Sequence, residues 1–362
     1  MKSLNVGTYW GIPVNIHWTF SFLFLLFLGY GLYLGQDIIA LLSIGLFIVS
    51  MFVCVIMHEF GHALTARKFG IKTLDIIISP IGGIARLQKL PENPIQELVV
   101  AIAGPLVNLG IAFLLTLVAF IFFSEASFIS PDDTIELIKT PIGFLVSLIY
   151  INGVLFFFNL IPAFPMDGGR ILRALLSMRY GKVKGTQIAS VVGRILAVAF
   201  IILGLAIQSI MLVFIGGFIF IMARRENDQM VIKSKLEVGI AKDIMNINYS
   251  KIHLSDTMKY VYDKYIRGGE KNYLVFDSMG NVSGVLPELF IKQAFKSNEL
   301  DQSANENMSE NIYYADENIA LDKLFEEMNQ NGIAIAIIKN GDQIQGVIDR
   351  HMLYNYIQLQ LF

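Results

Sequence analysis

Two histidines four residues apart bracket a glutamate in Met57-His58-Glu59-Phe60-Gly61-His62. On a helix, positions i and i+4 share one face a turn apart, so both imidazoles can grip a single ion. Zn²⁺ takes histidine nitrogens at about 2.0–2.1 Å, and a catalytic zinc keeps three protein ligands and one open position. Glu59, beside the first histidine, is placed to act as general base toward water rather than as a ligand. One ligand is still missing. His253 and His351 belong to a polar C-terminal repeat, and His17 precedes the first apolar run as an interfacial anchor. Asp167 is the better third ligand. It stands in Phe158-Asn159-Leu160-Ile161-Pro162-Ala163-Phe164-Pro165-Met166-Asp167-Gly168-Gly169-Arg170, where two prolines break a helix and two glycines let a carboxylate turn back. The competing reading makes Asp167 the cap of the next helix.

The elements that must position these groups are apolar. Hydrophobic residues make up 54% of the 362 and charged residues 16%, against roughly 25% in soluble domains, and mean hydropathy is +0.58. The deficit is local: Arg194 is the only cation between Gly185 and Ala223, whereas the stretch after Arg224 is ordinarily polar. Six apolar runs, near 18–35, 38–65, 98–123, 141–161, 186–206 and 209–223, approach the length of about 20 residues that crosses a bilayer. Arg67, Lys68, Lys72, Arg86, Lys89, Arg170, Arg173, Arg179, Lys182, Lys184, Arg224 and Arg225 fall in one set of connections. Lys139 stands alone in the other, among Asp37, Glu125, Asp132, Asp133 and Glu136. The positive-inside rule then predicts a multi-pass cell-membrane protein with cytoplasmic N- and C-termini. His58, Glu59 and His62 close the run from Leu41 to Met57, and ionisable groups at membrane depth mark functional sites.

A formal charge of −2 speaks against a nucleic-acid partner, and the single Cys54 allows no internal disulfide. Cys54 lies one turn before His58 and reads as packing. Arg194 reads as a snorkelling cation, with substrate contact or gating as the alternative. Met1–His17 does not read as a cleavable signal. Lys72–Arg86, rich in β-branched residues and interrupted by Pro80, Gly82 and Gly83, reads as a β-hairpin or sheet dipping into the cytoplasmic leaflet. Its edge either pairs with unwound substrate or merely shields the site.

After a linker over 224–239, a pattern of amphipathic helix, strand, turn and strand occurs twice. Thr257–Tyr265, Tyr273–Phe276 and Gly284-Val285-Leu286 are echoed by Leu321–Asn329, Ile333–Ile338 and Gly346-Val347-Ile348. This repeat resembles a tandem pair of cystathionine-β-synthase-type (CBS) modules over 240–299 and 300–362. The resemblance implies a regulatory or dimerising role, and in many such pairs an adenine nucleotide in the cleft. Pro287-Glu288 and Asp349-Arg350-His351 follow the two strands where a Ser/Thr-x-x-Asp is usual, so nucleotide binding competes with homodimerisation or substrate docking.

HExxH in one span and N-x-x-P-x-x-x-x-D-G in a later one resemble the site-2 protease family of intramembrane zinc metalloproteases. Ala103-Gly104-Pro105-Leu106-Val107-Asn108 is similar to a further family motif. The likeness covers 1–223, and with the CBS pair it resembles the short prokaryotic branch. It implies one Zn²⁺ on His58, His62 and Asp167, Glu59 as catalytic base and acid, and Asn159 binding substrate backbone or the oxyanion. The implied substrate is the transmembrane segment of a membrane-anchored protein, cut within or near the bilayer. The expected fold is an α-helical polytopic membrane domain of six spans with a short membrane-associated β-hairpin or sheet, then a cytoplasmic α/β CBS pair. The rival function is a CBS-gated transporter or channel, which has no need of HExxH with a distant aspartate. A non-haem oxygenase would draw on more histidines than the three in the membrane half.

Overall fold

A computed structural model describes residues 3–33, 35–79, 82–89, 91–123, 138–268 and 270–359. Glu125, Asp132, Asp133, Glu136, Pro80 and Ile81 lie outside them. The chain divides into two compact units, Met1–Asp228 and Gln229–Phe362.

The first unit opens with two strands not expected from the sequence, β1 (Ser3–Tyr9) and β2 (Ile12–His17). Their alternation, Ile12, Val14 and Ile16 in particular, carries the period of two that marks a half-buried strand. Trp10 and Gly11 form the two-residue turn, both at positive φ (49° and 76°), a geometry that suits the twist of a tight hairpin. β3 (Thr73–Ser79) runs parallel to β2, and β4 (Gly82–Leu87) antiparallel to β3. The expected hairpin is therefore half of a four-stranded sheet, β1-β2-β3-β4. Asp75 pins this sheet: Arg86 donates to both its oxygens at 2.5 Å, and Asn15 Nδ2 adds a bond at 2.9 Å. The Arg86 hydrogen bonds hold the Asp75 carboxyl below the usual range.

The helices that begin in this unit are α1 (Trp18–Tyr33), α2 (Ile38–Lys68), α3 (Pro94–Phe122), α4 (Pro141–Asn159), α5 (Asp167–Tyr180), α6 (Lys182–Ala206) and α7 (Ile210–Leu236). Among the described residues, α2, α3, α4 and α6 are long and apolar enough to cross a membrane. α1 is shorter, and α7 stays apolar only to Ala223. α2 starts on Asp37, whose carboxylate accepts from Ala40 N and pairs with Lys139 at 3.1 Å. It ends in Arg67 and Lys68, cations that suit a helix C-terminus. One face of α2, with Phe52, Ile56, Phe60 and Ala63, packs under Ile12, Val14, Ile76 and Ile78 of the sheet. The linker expected over 224–239 is largely helix. Glu226, Gln229, Lys233 and Lys235 are good helix formers and nothing among them breaks α7 before Leu236.

The second unit holds the repeat. α8 (Ala241–Ile244) leads to β5 (Lys251–His253), α9 (Met258–Arg267), β6 (Tyr273–Phe276), β7 (Val282–Leu286) and α10 (Glu288–Lys296). α11 (Ala304–Asn307) leads to β8 (Tyr314–Asp316), α12 (Leu321–Gln330), β9 (Ile335–Asn340), β10 (Gln343–Asp349) and α13 (Arg350–Leu359). Each half forms a three-stranded sheet with one parallel and one antiparallel pairing in the same order. The halves exchange their leads: Asn246 bridges Val347 of β10, and Ser309 bridges Val285 of β7. Leu274, Phe276, Val285, Ile335, Ile337 and Val347 make a core common to both.

Candidate metal centre

Twenty rises of 1.5 Å put His58 about 30 Å along α2. His58 and His62 are buried on the face turned away from the sheet. Their Nε2 atoms stand 3.1 Å apart, and Asp167 Oδ2 lies 3.1 Å from each. The other ring nitrogens decide what these atoms offer. His62 Nδ1 lies 2.8 Å from Val100 O, which only accepts, so Nδ1 carries the proton. His58 Nδ1 meets Asn108 Oδ1 at 2.5 Å, while Asn108 Nδ2 donates to Asn152 Oδ1 at 2.9 Å. Asn152 Nδ2 in turn reaches Leu148 O and Cys54 Sγ. Both imidazoles therefore aim Nε2 lone pairs at one point that a carboxylate oxygen also faces. Three electron-rich atoms gathered there call for a cation. A tetrahedral ion with bonds of about 2.0–2.1 Å separates its ligand atoms by about 3.3–3.4 Å, close to the observed spacing. The donor set of two nitrogens and one oxygen fits a divalent ion with a fourth position left open, and these three are the group able to hold a metal among the described residues.

Backbone with no side chain makes room for this arrangement. A Cβ at Gly104 of α3 would stand 2.2 Å from His62 Nε2 and 2.8 Å from His58 Nε2. α4 ends at Asn159, and the segment before Asp167 folds back over the first turn of α5. A Cβ at Gly168 would meet Ile161 O and Leu160 O at 2.3 Å, and one at Gly169 would meet Phe164 N at 2.7 Å. Asp167 is the first residue of α5, behind Met166 as N-cap, and its carboxylate faces the imidazoles rather than capping the helix. Glu59 lies under β4, the sheet's outer strand. Its Oε2 accepts from Ala85 N at 2.9 Å, and Gly83 allows that approach, since a Cβ there would stand 2.7 Å from Glu59 Cγ.

His58, His62 and Asp167 thus converge, and Glu59 sits next to them. Asn159 is half-buried at the end of α4, and no hydrogen bond joins it to the trio among the described residues. Asn108 and Asn152 were not assigned roles from sequence. A polar residue in the middle of an apolar span, as each of them is, was the signal. Cys54 packs beside Asn152, as expected. Arg194 Nε is buried and without a hydrogen-bond partner among the described residues.

Comparison with known proteins follows the same lines. The profile of Peptidase family M50 matches residues 46–205, which contain every residue of the site. Zinc metalloprotease MJ0392 of Methanocaldococcus jannaschii is 36% identical over 246 residues, covering 68% of this chain and 67% of that one. The chain belongs to peptidase family M50. This M50 chain is also 32% identical over 312 residues to sll0528 of Synechocystis sp., by its name a candidate zinc metalloprotease, covering 80% of this chain and 78% of that one. The solved Site-2 Protease from Methanocaldococcus jannaschii is similar at 36% identity and a TM-score of 0.45, covering 62% of this chain and 95% of that one. A CBS-domain containing protein from Agrobacterium tumefaciens is similar at 17% identity and a TM-score of 0.31, covering 32% of this chain and 92% of that one. As a site-2-protease-type member of M50, the chain is an intramembrane zinc metalloendopeptidase.

Proposed function

We propose that His58, His62 and Asp167 hold one zinc ion, and that the chain cuts a membrane-anchored protein within or near its transmembrane segment. The convergence of two Nε2 atoms and Asp167 Oδ2, from residues 105 and 109 positions apart in sequence, carries this reading. When bound, zinc polarises the scissile carbonyl and brings the pKa of water down to about 7. Glu59 takes the proton of the attacking water and later delivers it to the leaving amine. The Ala85 amide holds Oε2 and so orients the carboxylate for that exchange. Asn108 and Val100 fix both imidazole tautomers, which keeps Nε2 unprotonated toward the metal. Asn159 supplies a hydrogen bond to substrate backbone or to the developing oxyanion.

A substrate helix hides its peptide groups in its own hydrogen bonds and must unwind before attack. β4 is an edge strand of the sheet, and its outer backbone groups other than the Ala85 N–H, which Glu59 takes, are the partners proposed for unwound substrate beside the site. The exposed apolar side chains Leu4, Leu74 and Ile84 support seating this sheet in the cytoplasmic leaflet. Counting α1 and α7 with the four long helices gives six spans and cytoplasmic termini. Residues 240–299 and 300–362 act as a CBS pair that regulates or dimerises. Asp349 is engaged by Asn272 and by Met352 N, which favours dimerisation or docking over nucleotide binding.

The deciding experiment purifies wild type and Glu59→Gln, measures zinc per chain, and assays cleavage of a single-span substrate. Wild type should carry one zinc and cut. Glu59→Gln should keep the metal and lose about 10²–10⁴-fold in rate. Wild type devoid of zinc would overturn the assignment.

A further inference from the structure

Arg173 is the largest fully buried side chain among the described residues, and none of the chemistry above uses it. A buried guanidinium is costly unless paired and hydrogen-bonded. Each of its three nitrogens meets a carboxylate, on α3 or on α7. Nε and Nη2 meet Glu97 Oε1 at 2.7 and 2.6 Å on the first turn of α3, and Nη1 meets Glu226 of α7. The guanidinium also lies 5.1 Å over the ring of Phe164, in the segment that leads to Asp167.

The placement of Glu97 gives this junction its meaning. Along α3 the buried stripe runs Glu97, Val100, Gly104, Asn108. Val100 O orients His62, Gly104 faces both imidazoles, and Asn108 orients His58. One helix therefore carries the anchor of Arg173 and the back wall of the metal centre. On α5, Arg173 and Asp167 are six residues apart, about 9 Å of rise, and on α3 Glu97 and Gly104 are seven apart, about 10.5 Å. The two helices meet at two rungs of nearly equal spacing: Arg173 on Glu97, and Asp167 at the imidazoles beside Gly104. A slip of α5 by one residue would displace Asp167 by about 1.5 Å. Metal–ligand distances tolerate about 0.2 Å.

We propose that Arg173 is a positioning residue of the metal centre, holding α5 in register on α3 through Glu97 and Glu226 so that Asp167 reaches the two imidazoles. The proposal rests on the zinc reading above. The fork of the guanidinium matters, because lysine offers a point charge that cannot span both carboxylates.

The test uses the full chain in detergent. Zinc affinity is measured by competition with a chromophoric chelator, the absorption spectrum is recorded with Co²⁺ in place of zinc, and thermal unfolding is followed without metal. Arg173→Lys should fold, bind zinc about 10–100-fold more weakly, and show an altered Co²⁺ band. A merely structural Arg173 would lower the metal-free melting temperature and leave affinity and band unchanged, which overturns the proposal. If Arg173→Lys does not fold, Glu226→Gln decides, since Glu226 is partly exposed: zinc binding weakened severalfold supports the proposal, and unchanged binding sinks it. Asp167→Asn is measured alongside. If it binds zinc as tightly as wild type, the zinc reading itself fails; if it loses zinc while Arg173→Lys does not, only the positioning role fails.

Discussion

Gly104 sets the tightest constraint on the metal centre. Alanine there would drive a methyl group into both imidazoles, 2.2 Å from His62 Nε2. Gly104→Ala is expected to leave helical content unchanged by circular dichroism while zinc per chain, by elemental analysis, falls toward zero. Retention of stoichiometric zinc would show that the imidazoles can move aside. His58, Glu59 and His62 were legible in sequence because five consecutive residues on one helix settle their own spacing. Asp167 was legible as a broken-helix carboxylate among glycines. Asn108 was visible only as part of a motif, because its task depends on which way His58 Nδ1 turns, and that is decided across two helices.

Between elements, the sheet over α2 decides how Glu59 is presented. Ala85 N points away from β3, so Pro at that position removes a donor without breaking the ladder between the strands. Ala85→Pro is expected to keep zinc and to cut cleavage of a single-span substrate at least tenfold, an effect read as rate against metal content. Unimpaired cleavage would show that the Ala85 amide does not position Glu59. The Asp75 lock adds a pH dependence. Its carboxyl is held below the ordinary value near 3.9, so its contribution is present above that pH and fades as pH falls through the lower folded value. Asp75→Asn should be less stable than wild type at pH 7, and the gap between their melting temperatures should begin to narrow only below about pH 4 and close at a lower pH still. The β3–β4 hairpin was readable from its β-branched run. β1 and β2 carry only a brief alternation, Ile12, Val14 and Ile16, ahead of the first apolar run; β2 joins β1 through a local turn, and what builds the pair into the sheet is β3, some sixty residues away.

For the molecule as a whole, the three residues proposed to hold zinc all lie on helices of the first unit, and the second unit keeps a core of its own. Chelation with EDTA is therefore expected to lower the first unit's unfolding temperature and leave the second unit's unchanged, two transitions that calorimetry separates. Ligand chemistry, the apolar spans and the twofold repeat follow from the order of residues alone, since each depends on periodicity within a few dozen positions. Polarity marks the charged stretch after Ala223 as a linker, and α7 extends through it to Leu236 because those same residues are good helix formers. Tertiary structure alone decided that Asp167 faces the histidines instead of capping its helix, that both imidazoles turn Nε2 inward, and that Arg173 joins α3, α5 and α7. Those outcomes are contacts between distant segments, set by which buried polar group finds a partner when the helices pack, and no local pattern in a chain encodes them.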